Sequence, residues 1–136
     1  MSHILIIDDE EDARATFQDF LEGEGYRVTL ASDGGQGIKM FEADRPDLII
    51  TDLLMPNKEG IETILELRKK NADVRIIAVS GGGAMGRLDF LDMAKGMGAD
   101  HVIAKPVDLD ELLAAVRTLL SAPAPSRSDY PTSGLR

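Results

Sequence analysis

Asp47-Leu48-Ile49-Ile50-Thr51-Asp52, followed by Leu53-Leu54-Met55-Pro56, is the stretch on which the fold turns. Three consecutive aliphatic residues between two aspartates have the pattern of a strand buried on both faces, as interior strands of parallel sheets are. Asp52 closes that strand. Pro56 disfavours helical geometry at Met55, so the chain must turn just past the carboxylate, and Gly60 precedes a new apolar periodicity. A carboxylate is therefore expected at the carboxyl end of an interior strand, where open α/β sheets hold their ligands.

The same grammar recurs on either side. Ile4 to Ile7 form a second uninterrupted apolar run that ends in Asp8-Asp9-Glu10-Glu11-Asp12, after which Ala13, Phe17, Phe20 and Leu21 fall at helical spacing and Gly25 ends the helix. Tyr26 to Ala31 alternates as a more exposed strand. The helix after it, carrying Ile38 and Phe41, is weakened by Gly34, Gly35 and Gly37. Pro46 introduces the strand ending at Asp52, and Ile61, Ile64, Leu65 and Arg68 mark a helix beyond it. Val74 to Val79 predicts another buried strand, ending at Ser80. The glycine-dense loop Gly81-Gly82-Gly83-Ala84-Met85-Gly86 is expected to be a mobile element, and Leu88, Leu91 and Met97 set the next helical period. Val102-Ile103-Ala104 ends at Lys105-Pro106. Asp108 and Glu111 have capping-box spacing ahead of the strongest helical period, Leu109 to Leu120.

Five strand–helix alternations predict a doubly wound α/β domain, a five-stranded parallel sheet with helices on both faces, because parallel neighbours need long crossovers. At 136 residues the chain is expected to form one domain over residues 1–121, with a Pro- and Ser-rich disordered tail over 122–136. A net charge of −9 argues against an electrostatic footprint for nucleic acid and against an anionic membrane surface. With no cysteine there is no disulfide framework, thiol nucleophile or cysteine-ligated metal. The amino terminus lacks the basic region of a signal peptide, and no run approaches the length of a membrane span, so a cytoplasmic protein is expected.

In a parallel sheet the residues that close the strands share one edge, which brings Asp8, Asp9, Asp52, Ser80 and Lys105 to one crevice. Grouped carboxylates raise one another's pKa unless a cation lies among them, and an all-oxygen set suits Mg²⁺ or Mn²⁺. Asp52 also makes sense as a nucleophile toward phosphorus, with the metal, Lys105 and the Ser80 hydroxyl meeting the transferred oxygens.

These residues resemble the response-regulator receiver domain of two-component signalling, the CheY-like family. The likeness covers about residues 3 to 120: the acid pair Asp8-Asp9, Asp52 with Met55-Pro56 and Gly60 behind it, Ser80, and Lys105-Pro106. It implies the flavodoxin-like strand order 2-1-3-4-5. It implies Asp52 as acceptor of a phosphoryl group from a histidine kinase or phosphotransfer protein. The metal would be held by Asp9, Asp52 and the Leu54 carbonyl, with Asp8 acting directly or through water, and Lys105-Pro106 would be a cis peptide. The protein is then no turnover enzyme; it is expected to act as a stand-alone, monomeric or weakly dimeric regulator that signals to a partner protein. Val102, with His101 beside it, stands where the family often carries an aromatic. A switch is thus expected to rest on Gly81, Gly82, Gly83 and Pro106 and on the face from Leu88 to Met97, His101-Val102 and the last helix, rather than on a swinging ring.

Other readings fit less well. Singly, Asp8 to Asp12 would pass for a solvated helix start, Asp52 for a turn residue, and Ser80 and Lys105 for satisfied or surface groups. Gly81 to Gly86 matches G-x-G-x-x-G but has Lys105, not an acid, at the end of the next strand. A haloacid-dehalogenase-type phosphatase would carry a second acid where Leu54 stands, and a flavin module would not set five successive acids where a phosphate must bind.

Overall fold

The computed structural model describes residues 2–53, 59–70, 73–80, 96 and 98–121. Within them the chain runs β1 (His3–Ile7), α1 (Glu11–Gly23), β2 (Arg27–Ala31), α2 (Gly34–Ala43), β3 (Leu48–Asp52), α3 (Glu59–Lys70), β4 (Arg75–Ser80), β5 (His101–Ala104) and α4 (Leu109–Ser121). All pairings are parallel, in the order β2-β1-β3-β4-β5. The doubly wound sheet expected from the alternation is therefore present. The residues 81–95 and 122–136, with their expected loop, helix and tail, lie outside the described residues. No helix among the described residues is long and apolar enough to cross a membrane.

The uninterrupted apolar runs have a simple cause. Successive side chains of a strand point to opposite faces, so a strand covered on both must be apolar at every position. Ile4, Ile6, Leu48, Ile50, Ile77 and Val79 pack with Phe17, Leu21, Leu112 and Val116 of α1 and α4. Leu5, Ile7, Ile49, Ile76 and Ala78 pack with Phe41, Ile64 and Leu67 of α2 and α3. Each such fully buried aliphatic side chain contributes about 1.5–3 kcal/mol. Asp47, which only bounded the run in sequence, fixes its register: the His3 amide donates to its carboxylate at 2.8 Å, and its own amide donates to the His3 carbonyl at 2.8 Å.

Local signals set the helix ends. Gly25 has φ +97, a left-handed conformation suited to glycine, and its amide donates to the Glu22 carbonyl past the end of α1. Asp108 Oδ1 accepts from the amides of Asp110 (2.8 Å) and Glu111 (3.3 Å), the N-terminal half of the expected capping box. The glycine-rich α2 forms because Asp33 caps it, accepting from the Gln36 amide at 2.7 Å, and because a Cβ on Gly37 would lie 2.5 Å from Ile7 Cδ1. The residue that weakens this helix intrinsically is also what lets it sit against β1.

At the opposite end of the sheet, Arg68 of α3 ties three segments together. Its guanidinium donates to the Val74 and Gly98 carbonyls and pairs with Asp100 at 2.8 Å, and Asp100 Oδ2 also accepts from the Ile76 amide. Both side chains are nearly buried, at 13% and 11% exposure. Arg68→Ala removes the ion pair that Arg68 makes with the nearly buried Asp100 and is expected to cost about 3 kcal/mol in urea unfolding. Arg68→Lys, which cannot reproduce the planar fork, should recover only part of that.

Candidate functional site

The carboxyl ends of β1, β3, β4 and β5 open on one side of the sheet. Asp52, the last residue of β3, is 2% exposed, held in line by the Leu53 amide, which donates to the Val79 carbonyl at 2.9 Å. Asp8 follows β1 and is also buried; its amide donates to the Ala31 carbonyl, and its Oδ1 accepts from the Glu10 amide at 2.9 Å. Asp9 is exposed. Each of the three offers a carboxylate oxygen, and these oxygens all lie within 4.8 Å of one another.

Lys105 reaches this group from the end of β5. Its Nζ donates to Asp52 Oδ2 at 2.7 Å, and its amide donates to the Ser80 carbonyl at 2.8 Å, which sets the ammonium beside the buried end of β4. Burial alone would lower the lysine pKa, but the hydrogen bond and charge of Asp52, aided by Asp8 and Glu10, hold it above its usual value. Lys105 is accordingly a fixed cation.

Among the described residues, Lys105 is the cation bonded to this group of three carboxylates, and their charge outweighs its own. Burial raises the Asp8 pKa above 3.8, and the charges of Asp52 and Asp9 add to that, against the Glu10 amide and Lys105. A hard divalent ion fits such a donor set: at about 2.1 Å per bond, adjacent oxygens of an octahedral shell stand about 3 Å apart, within a modest closing of the trio. Asp8→Asn keeps the acceptor for the Glu10 amide but removes a buried charge. It is expected to stabilise the metal-free domain by about 1 kcal/mol at neutral pH. A raised carboxylate pKa means the folded state holds its proton more tightly. The gain is thus full above the folded-state pKa, shrinks as the pH falls through it, and vanishes below 3.8, where the carboxyl is protonated in both states. Thermal unfolding across that range checks the sign.

This geometry agrees with what the whole chain matches. Residues 4–117 fit the family model described as response regulator receiver domain. The chain belongs to the receiver-domain family. Among curated relatives, the response regulator MprA of Mycobacterium avium is 36% identical over 123 residues, covering 90% of this chain and 52% of its own length, and that of Mycolicibacterium vanbaalenii is 35% identical over the same number. This receiver domain thus spans about half the length of the curated relatives it matches. Among solved structures, a CheY-like receiver domain protein from Methanospirillum hungatei has a TM-score of 0.81 at 30% identity, covering 89% of this chain and 94% of that one. TrrA from Thermotoga maritima, solved in complex with Mg²⁺–BeF, has a TM-score of 0.75 at 34% identity, with 88% and 99% covered.

The remaining residues singled out from the sequence fall into two groups. His101 and Val102 open β5, half-buried, with His101 on a groove shared with Glu111, Ala115 and Leu119 of α4 and Val102 packed toward the α2–α3 face. Pro106 is exposed, and the Lys105-Pro106 peptide is cis. Leu54, Gly81, Gly82 and Gly83 lie outside the described residues. Sequence reasoning passed over Arg14, whose Nη1 donates to the Asp8 carbonyl at 2.7 Å. The only trace of it in the chain was a basic residue in a helix start otherwise crowded with acids.

Proposed function

We propose that this receiver domain, residues 1–121, accepts a phosphoryl group on Asp52 from a histidine kinase or a histidine phosphotransfer protein in a Mg²⁺-dependent reaction, for which Mn²⁺ can substitute. The observation that carries the reading is the Lys105 ammonium 2.7 Å from Asp52 Oδ2 beside the Asp8, Asp9 and Asp52 oxygens. A carboxylate oxygen of Asp52 forms a bond to phosphorus as the P–N bond of the phosphohistidine breaks and the imidazole nitrogen leaves with the electron pair. Asp9, Asp52 and the Leu54 carbonyl would hold the ion, with Asp8 directly or through water. When bound, the ion neutralises charge on the transferred oxygens.

The chain's own groups do the rest. Lys105 meets one phosphoryl oxygen, and the Ser80 hydroxyl, at the buried end of β4, donates to another. Moving either toward a dianion displaces the strand end that carries it, which transmits the event to Gly81, Gly82 and Gly83, next in the chain after Ser80, and to the face of His101, Val102, Pro106 and α4. That face is the one offered to a partner protein. The domain modifies itself once per cycle and turns over no separate substrate. Incubation with acetyl phosphate and Mg²⁺ followed by intact-mass measurement is the test. One added phosphoryl group, lost when the metal is chelated beforehand, is expected; no added mass at any metal concentration would refute the reading.

A further inference from the structure

We propose that Arg14 is a positioning residue for the acid pair, setting the direction in which Asp9 leaves the backbone; this rests on the phosphoacceptor reading above. Asp9 is exposed and makes no side-chain hydrogen bond or ion pair among the described residues, so its place beside Asp8 and Asp52 depends on its main chain. The carbonyl of Asp8 and the amide of Asp9 belong to one rigid peptide plane. A group that fixes that carbonyl therefore fixes the plane from which Asp9 departs.

Arg14 is that group. It lies in the first turns of α1, its amide donates to the Glu10 carbonyl at 3.1 Å, and its Nη1 reaches back six residues to the Asp8 carbonyl at 2.7 Å. The helix has little else to anchor its start: Glu10 stands at the N-cap without a side-chain hydrogen bond, and the Glu10 amide is taken by Asp8. A helix-borne guanidinium thus ties the start of α1 to the loop before it, as a donor to the Asp8 carbonyl rather than as a cap for the helix amides. Its action is one of geometry. The charges that bear on the Asp8 carboxyl are those of Asp52, Lys105 and Asp9. The outer groups that orient metal ligands commonly affect affinity by about 10–100-fold.

The experiment compares wild type, Arg14→Ala and Arg14→Lys. Titration calorimetry with Mg²⁺ should show affinity about 10-fold weaker in Arg14→Ala, partly restored by lysine, with the same ratio at low and high salt. The Mg²⁺ concentration for half-maximal acetyl-phosphate labelling should rise by the same factor, while the labelling rate at saturating Mg²⁺ changes little. In the metal-free protein, the Asp8 carbonyl and Asp9 amide resonances should move in Arg14→Ala and move back toward wild type in Arg14→Lys. Unchanged affinity, a loss that high salt abolishes, or unmoved resonances would each overturn the inference. If wild type itself neither binds Mg²⁺ nor takes up phosphate, the phosphoacceptor reading fails instead, and the metal-free resonances alone still decide whether Arg14 holds the loop.

Discussion

Asp52→Asn protein incubated with acetyl phosphate and Mg²⁺ is expected to keep its unmodified mass under conditions where the wild-type chain gains one phosphoryl group. Three carboxylates compete for the role, and their surroundings separate them. Asp8 is buried, its oxygen is committed to the Glu10 amide, and burial raises its pKa, so its charged form is disfavoured. Asp9 is exposed to water and has no ion pair among the described residues. Asp52 alone is buried and at bonding distance from an ammonium. Labelling should therefore fall below detection, since an amide oxygen is no nucleophile toward phosphorus under these conditions. Lys105→Ala removes the cation but not the nucleophile, and its labelling rate should drop by about 10²-fold without vanishing, as losing one preorganised charge contact does. Phosphate that persists in Asp52→Asn on Ser80 or on another acid would show that the crevice was assigned to the wrong residue.

What could be read from the chain, and what could not, divides along the range of the interactions. Ile4 to Ile7 and Leu48 to Ile50 are legible as interior strands because burial on two faces leaves no polar position in the run. The strand ends are legible as a set because a parallel sheet sends them all to one edge. Contacts that join residues distant in sequence leave no periodic trace. The Arg68 fork on Val74, Gly98 and Asp100 was visible only as a helical position, though it ties α3 to the entry of β4 and the approach to β5. His3 looked like a terminal residue, yet it is 4% exposed and bonds the Thr29 hydroxyl from the neighbouring strand. The glycines of α2 read as weak helix formers; the need for a missing Cβ at Gly37 appears only once Ile7 of β1 is opposite it.

Gly60→Ala is the substitution in which this hidden requirement should show most. In an exposed helix interior the change would favour folding by about 1 kcal/mol, because alanine restricts the unfolded chain and suits the helix. At Gly60 the added Cβ would lie 2.3 Å from the Asp52 carbonyl oxygen, 2.6 Å from Leu53 Cα and 2.8 Å from the Leu53 oxygen. Those atoms are backbone, and the Leu53 amide is itself bonded to β4, so no flexible side chain can give way. Either α3 moves out or the end of β3 moves, and overpacking of this kind costs about 1–3 kcal/mol beyond the lost propensity gain. Net destabilisation of about 2 kcal/mol is expected in urea unfolding. Gly23→Ala, at the last residue of α1 with nothing within 4 Å of its Cβ, serves as the control and should leave stability within about 0.5 kcal/mol of wild type. The direction of the displacement then separates two outcomes. If β3 yields, the Asp52 carboxylate shifts with it, and both Mg²⁺ affinity and phosphate uptake fall in the folded variant. If α3 yields, they stay near wild type while stability falls. A Gly60→Ala protein as stable as wild type would mean that the approach of α3 to the Asp52–Leu53 backbone is looser than 2.3 Å implies.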